Sequence, residues 1–338
     1  MPKAPTVYDV AARAQVSIAT VSRVLRTPDA VSEATSLRVQ AAVRELGYVP
    51  SANARGLAAR RTNVIGLFLP GHDDLEVEPP VSSIEVPIGT DEPPENENLY
   101  FDEVLRGAEV EAWRRGFALM VAAGRGERPE ELLIDLAGRV DGMAILAGAV
   151  ADDVLAQVAR RIPVVVLASA DADDGLDHVR ANNGPGMRAI TGHVLAKSPA
   201  RVLYVAGPSS SPDDAERFAG FVSAMGDRPF DLVRGDFTRD SGRRVVVDHD
   251  AVICANDQMA LGVLDTLERS GRRDVLVTGF DGISAGRHSR PTLTTVHQPM
   301  VELGRAAINA VTRRLENPDL APQRHTLPVR VIVRESCP

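Results

Sequence analysis

The 338-residue sequence predicts an α/β protein, with a doubly wound parallel-sheet body behind a small helical head. Three observations predict it. From Asn63 to Gly279, apolar runs of strand length alternate with amphipathic helical stretches, the rhythm of a parallel sheet covered by helices on both faces. The first fifty residues instead read as three short helices with no strand between them. The composition is globular, 44% hydrophobic and 25% charged, and no apolar run reaches the roughly 20 residues of a membrane helix.

The elements of the head follow in order. Thr6-Val7-Tyr8-Asp9 has the form of a capping box, in which hydroxyl and carboxylate each satisfy a free amide at a helix start. It predicts a helix over 7–14, with Gln15-Val16 as the tight turn after it. Ser17 suits the N-cap of a second helix, because its hydroxyl can accept from a first-turn amide. Val16, Val21, Val24 and Leu25 would seat that helix on a neighbour and leave Ile18, Ala19, Ser22 and Arg23 facing outward. A third helix starts at Ser32, carries Leu37, Val39, Val43 and Leu46, and stops at Gly47. Two short helices joined by a tight turn and closed by a third form a helix-turn-helix, which lays its second helix in a groove of DNA. A generic three-helix cap fits the same pattern.

Charge favours DNA. Residues 1–61 hold nine Lys and Arg against four Asp and Glu, a net +5, in a chain of net −8. A basic head on an acidic body suits a polyanion at one end only.

In the body, Asn63–Pro70 reads as a buried strand, followed by helix 104–115, strand 117–122, helix 129–137, strand 142–146, helix 152–160 and strand 164–168. A second set runs helix 186–196, strand 201–206, helix 215–225, strands 231–234 and 251–255, helix 258–268 and strand 275–279. Cys254 and Cys337 are the only cysteines. Cys254 lies in an apolar run, which predicts a reduced, buried thiol in a cytoplasmic protein. Met1-Pro2-Lys3 leads into the head without a signal-peptide core. No metal-ligand cluster is visible and Asp248-His249-Asp250 reads as a solvated turn, so no metal or other cofactor is expected. Neither a G-x-G-x-x-G after the first strand, nor a Walker A run, nor a G-x-S-x-G elbow is present, which argues against a sugar- or nucleotide-transforming enzyme.

Thr6–Ala11, Val16–Leu25, Val31-Ser32 and Leu46–Pro50 resemble the DNA-binding head of lac-repressor-type (LacI/GalR) bacterial transcriptional regulators. The likeness continues in Ala206-Gly207-Pro208 with Arg217–Phe221, in Gly235–Thr238, in Ala255–Gly262, in Thr278–Gly282 and in Leu293–Pro299. The resemblance implies two doubly wound lobes of the periplasmic-binding-protein type facing each other across a cleft. The expected organisation is a head over 1–50, a hinge helix or linker over 51–61, lobe 1 over 62–168 and 295–318 with an acidic insertion at 71–97, and lobe 2 over 169–294 and 319–338. DNA contacts are then expected from Thr6, Tyr8, Ser17, Ile18, Ala19, Thr20, Ser22 and Arg23. In the hinge, Leu57 would wedge into the minor groove with small Ala54 one turn before it; a plain basic linker is the other reading of that segment. Effector contacts are expected from Phe101, Arg217, Phe237, Asn256, Asp281 and Gln298. Of these, Asn256 also reads as a turn former, Arg217 as a surface ion pair and Phe237 as core, while the adjacent Asp257 reads as a helix N-cap.

The sequence departs from the family in three places. Asn182-Asn183 stands where the family usually has Asp-Asn. Gly242–Asp250 and Gly271–Asp274 are short. Gly71–Glu97 holds nine acidic residues, five prolines and no Lys or Arg, which fits a mobile lid near the cleft mouth, a partner-contact loop or an inert loop.

The implied function is a homodimeric repressor of sugar uptake or catabolism genes that binds double-stranded palindromic operator DNA, with a small neutral sugar or polyol as effector and no membrane partner. The alternative is a free two-lobed sugar-binding protein without a DNA function.

Overall fold

A computed structural model of the chain describes residues 5–49, 61–71, 99–124, 128–169 and 173–338. The expectations for Ala54, Leu57 and nearly all of the acidic insertion lie outside the described residues. The chain divides into two units, Met1–Thr62 and Asn63–Pro338.

In the first unit, α1 (Val7–Ala14), α2 (Ile18–Arg26) and α3 (Glu33–Leu46) form the three-helix arrangement, with a 3-10 turn at Pro28–Ala30 before α3. The capping box is present: Asp9 accepts from the Thr6 amide and hydroxyl, each at 2.7 Å, and the Thr6 hydroxyl accepts from the Asp9 amide at 3.4 Å. α3 ends at Gly47 in the left-handed conformation, φ 61°, where glycine carries no Cβ penalty. Val10, Val21, Val24, Val39 and Ala42 make the small core. Leu37 departs from expectation and is 56% exposed. Ser36 and Val39 set the inward stripe of α3, and Leu37 sits about 100° round the helix from Ser36.

The second unit contains two six-stranded sheets. Its elements in chain order are β1 (Val64–Pro70), α4 (Leu99–Arg114), β2 (Ala118–Gly124), α5 (Pro129–Ala137), β3 (Gly142–Leu146), α6 (Asp152–Ala159), β4 (Val164–Leu167), β5 (Asp177–Ala181), α7 (Asn183–Leu195), β6 (Val202–Ala206), α8 (Pro212–Met225), β7 (Asp231–Arg234), α9 (Arg239–Arg243), β8 (Ala251–Cys254), α10 (Asp257–Arg269), β9 (Leu276–Asp281), β10 (Thr294–His297), α11 (Met300–Glu316), β11 (Arg324–Leu327) and β12 (Arg330–Ile332). The first sheet runs β11-β5-β4-β3-β1-β2 and the second β12-β10-β9-β8-β6-β7. All pairings are parallel except β10 with β12.

These sheets move the lobe boundaries from those expected. β5 pairs with β4 in the first sheet, so lobe 1 continues past residue 168 to Ala181. β10 pairs with β9 in the second sheet, so its residues 295–297 belong to lobe 2. β11 pairs with β5, so 324–327 belong to lobe 1, and only β12 onward returns to lobe 2. Backbone pairing decides this: the strands nearest the chain crossings have short, mixed sequences whose lobe is set by the partner they meet.

α4 and α11 pack together on lobe 1. A Cβ added at Gly107 would overlap the Val301 carbonyl, and one at Gly304 would overlap the Val104 carbonyl, so both glycines are needed for the helices to approach this closely. Core residues Ile65, Leu67, Val165, Tyr204, Phe221, Ile253 and Phe280 are fully or almost fully buried.

Candidate functional site

The head presents the outward set expected of α2. Tyr8 is 68% exposed and Ile18 40%; Ala19 and Arg23 are exposed, and Thr20 and Ser22 half-buried. Ser17 caps α2, its hydroxyl accepting from the Thr20 amide at 3.2 Å and lying 2.9 Å from the Thr20 hydroxyl. The cap leaves the side chains of the first turn directed outward, the arrangement needed to touch base edges and phosphates.

In the body, the strand ends of the two sheets enclose a cleft of about 430 Å³. This is where a doubly wound fold binds ligands, outside the carboxyl ends of its strands. Of the six expected effector residues, Phe101, Arg217, Phe237, Asn256 and Asp281 line it.

Arg217 is the hub. It is 3% exposed. Its Nε donates to Asn183 Oδ1 at 2.9 Å, and its Nη1 donates to the Ala255 carbonyl at 2.8 Å and to Asp281 Oδ1 at 3.3 Å. Its Nη2 lies 3.7 Å from Asp213 Oδ2. The guanidinium carbon stands 4.0 Å from the centre of the Phe280 ring, a cation–π contact on its inner side. Arg217 is therefore no surface ion pair. Burial works against its charge, and the Asp281 and Asp213 carboxylates more than restore it, so its pKa lies above the ordinary value.

Asp281 ends β9 with φ 122°, a backbone conformation rare outside glycine, and its neighbours hold it there. Gln298 Nε2 donates to Asp281 Oδ1 at 2.6 Å and the Gln298 amide to the Asp281 carbonyl at 3.1 Å. Burial pushes the Asp281 carboxyl up to about 6, with Arg217 and Gln298 pulling against it and Asp213 adding to it. Gln298 itself departs from expectation. It is 1% exposed and does not line the cleft; it stands behind Asp281 and fixes that carboxylate.

Asn256, not Asp257, is the N-cap of α10: its Oδ1 accepts from the Met259 amide at 3.0 Å while its Nδ2 donates to the Phe237 carbonyl at 2.9 Å. Asp257 is the next residue in and is fully buried. It accepts from the amides of Gly282 and Ile283, at 2.8 and 2.9 Å, and from the Thr295 hydroxyl at 2.6 Å. Burial, followed by the charge of Asp281, raises its pKa well above the usual carboxylate value. Asp257 thus clamps the turn after β9 and sets where Asp281 points. Phe237 adopts φ 70° and lays its ring on Gly207, where a Cβ would collide with that ring.

Among the cleft residues absent from the expected set, Tyr100 and Asp213 stand against its polar centre. Tyr100, on the first turn of α4, lines the cleft beside Phe101, their rings edge to face at 5.4 Å. Burial, then the Asp213 charge, raises its hydroxyl pKa. Asp213 lines the opposite wall from the first turn of α8 and accepts from Asn183 Nδ2 at 2.8 Å. Its carboxyl is raised by burial, with Arg217 the main opposing influence. The signal for Asp213 was in the sequence: Ser211-Pro212 is a helix start, Ser as cap and Pro at the first position, which puts Asp213 one turn before Arg217 on the same face.

No helix among the described residues is long and apolar enough to cross a membrane.

Residues 6–51 match the family described as bacterial regulatory proteins, lacI family, and residues 191–337 match a periplasmic binding protein-like domain. The chain is 31% identical to the transcriptional repressor PurR of Escherichia coli O139:H28 and 29% identical to the repressor CytR of Escherichia coli K12, in each case over 98% of this chain and 96% of the relative. Among solved structures, the lac repressor dimer bound to operator and the anti-inducer ONPF is 25% identical with a TM-score of 0.82, covering 99% of both chains. A complex of the transcriptional regulator CelR with cellobiose is 31% identical with a TM-score of 0.68, covering 98% of this chain and 99% of that one.

Proposed function

Since this chain belongs to the lacI family of bacterial regulatory proteins, and is thereby a DNA-binding transcriptional regulator controlled by a ligand rather than an enzyme, we propose that its effector is a small neutral sugar or polyol held in the cleft. The protein acts in the cytoplasm as a homodimer on a two-fold symmetric operator, repressing genes of sugar uptake or catabolism. Tyr8, Ile18, Ala19 and Arg23 would reach base edges or phosphates, and Thr6, Ser17, Thr20 and Ser22 would add hydroxyl contacts.

One observation carries the effector class. Asp213 and Asp281 flank a single buried guanidinium, all three within 4 Å ion-pair reach and all three lining the cleft. The wall offers acceptors and donors side by side. A hydroxyl satisfies both at once, since it donates and accepts. An ammonium meets Arg217, and a phosphate meets two carboxylates. Phe101 and Phe237 supply apolar faces for the C–H side of a sugar ring. The relatives support the class: one solved regulator binds cellobiose, and a LacI family regulator from Enterococcus faecium, 25% identical with a TM-score of 0.68, covering 81% of this chain and 98% of that one, binds ribose.

The test is selection of binding sites from random-sequence DNA with the full-length protein, then displacement by neutral sugars and by their phosphates. The expected result is a two-fold symmetric consensus, which a single reading helix per chain requires, whose binding responds to a neutral sugar and not to its phosphate. Arg23→Ala should weaken the selected site by tenfold or more and random DNA by less, roughly the loss of one base-reading contact. An asymmetric consensus, or a response to the phosphate alone, would defeat the proposal.

A further inference from the structure

The polar wall of the cleft has a second feature, which rests on the neutral-polyol reading just given. Asp281 lies in the Thr278–Gly282 run that carries the family resemblance; Asp213 lies outside those runs, on the first turn of α8. Yet Asp213 closes a continuous chain. It accepts from Asn183 Nδ2 at 2.8 Å, Asn183 Oδ1 accepts from Arg217 Nε at 2.9 Å, and Arg217 Nη1 donates to Asp281 at 3.3 Å. Asp213 reaches this chain of contacts from α8, a different element from the end of β9 that carries Asp281.

The contacts leave specific groups free for a ligand. Asn183 takes Asp213 Oδ1, and Asp213 Oδ2 is 3.7 Å from Arg217 Nη2, too far for a direct hydrogen bond. Asp281 Oδ1 is shared by Gln298 and Arg217. The Nη1 side of the guanidinium is spent on Asp281 and on the Ala255 carbonyl. The outer edge therefore presents the Nη2 donors between two carboxylates. A guanidinium is a planar fork with donors at fixed spacing, and two hydroxyls on adjacent carbons are spaced to meet such a fork.

The geometry points to Asp213 as the specificity-determining carboxylate of this cleft, reading one member of a vicinal hydroxyl pair whose other member meets Asp281. The effector is thus a vicinal diol, with one hydroxyl donating to Asp213 while accepting from Arg217.

The experiment is a ligand–protein cycle by calorimetric titration. The probes are ribose and cellobiose, each paired with analogues in which one hydroxyl is replaced by hydrogen. The proteins are the full-length wild type and the near-isosteric Asp213→Asn, with Asp213→Ser as a second variant should the first melt early. The wild type should bind at least one probe and lose about tenfold or more for one particular deoxy analogue, the worth of a hydrogen bond to a charged group. Asp213→Asn should bind the intact sugar more weakly by a similar factor and no longer distinguish it from that analogue. If Asp213 only props Asn183 and Arg217, every analogue weakens equally and the discrimination survives, which overturns the inference while leaving the polyol reading standing. Unchanged affinity and discrimination in both variants overturn it likewise. If neither neutral probe binds the wild type, the polyol reading itself fails and takes this inference with it.

Discussion

The two walls of the cleft are built from different chemistry. Lobe 2 contributes buried Arg217, Asn256 and Asp281 and half-buried Asp213, polar groups tied to other side chains of the lobe or to backbone. Among the described residues, lobe 1 contributes Pro70, Tyr100, Phe101, Leu146, Ala147 and Ala168, whose side chains are apolar but for the Tyr100 hydroxyl. The two walls divide the labour of binding. Lobe 2 holds its polar groups by partners within the same lobe, so its recognition surface is pre-organised with or without a ligand. The described cleft residues of lobe 1 offer mainly apolar side chains, which work as a cover. Discrimination among hydroxyls then belongs to lobe 2, while lobe 1 sets how tightly any ligand of the right shape is retained.

Arg217→Ala should break this contrast most severely. It leaves buried Asp281 and Asn183 and half-buried Asp213 without their common partner, a loss of about 3–5 kcal/mol in body stability for a buried charge left unpaired, and sugar binding should vanish. Calorimetric melting and titration of the full chain check both; a variant that melts and binds like the wild type would remove lobe 2 from recognition. Asp281→Asn is gentler. It keeps shape and removes charge, so sugar affinity should fall by about tenfold or more in titration, with smaller change in melting.

Phe101→Ala sharpens the contrast from the other side. It removes part of the cover, worth roughly 0.5–1.5 kcal/mol beyond area, so affinity should fall less than in either lobe 2 variant. The ranking of deoxy sugars should stay as in the wild type. A changed ranking would show lobe 1 reading hydroxyls too.

The smallest effect is of pH. The Asp281 carboxyl sits at about 6, above its ordinary 3.8. A raised carboxyl favours the folded state below 3.8, and this contribution is lost as pH rises through about 6. Relative to Asp281→Asn, the wild type should lose stability across that interval. Sugar affinity runs the other way, rising as pH passes 6, because an ionised carboxylate is the better acceptor for a hydroxyl. Parallel melts and titrations at pH 5 and 7.5 check the two opposite slopes, and a flat wild-type affinity would remove Asp281 as the acceptor.

Much of this was legible in the sequence for physical reasons. The Thr6–Asp9 box, the Ser17 cap and the Gly47 stop are local signals, and each appears where local chemistry requires it. The apolar strands β1, β3, β4, β6 and β8 announced themselves by composition. β5 did not: Asp-His-Val-Arg-Ala carries three polar residues, and Asp177 and His178 are buried only because Arg314 and Ser169 partner them. Asn256 and Asp257 were exchanged because either residue type can cap a helix, and only the fold shows which one Gly282, Ile283 and Thr295 converge upon. Gln298 was placed one layer too far forward, since spacing along a chain does not reveal depth behind a surface.

The chain passes between the lobes at three places, after β5, after β10 and between β11 and β12. These passages lie in one row. The Asn182 amide donates to the Leu327 carbonyl at 3.0 Å, and Val296 stands opposite Val331 in the ladder. A single tether would act as a swivel, letting one lobe spin on the other and scattering whatever a ligand does at the cleft into many directions. Three tethers stitched edge to edge act as a door hinge. They leave one soft angle and stiffen torsion and sliding, so a molecule that bridges the walls can express its grip only as a change of that angle.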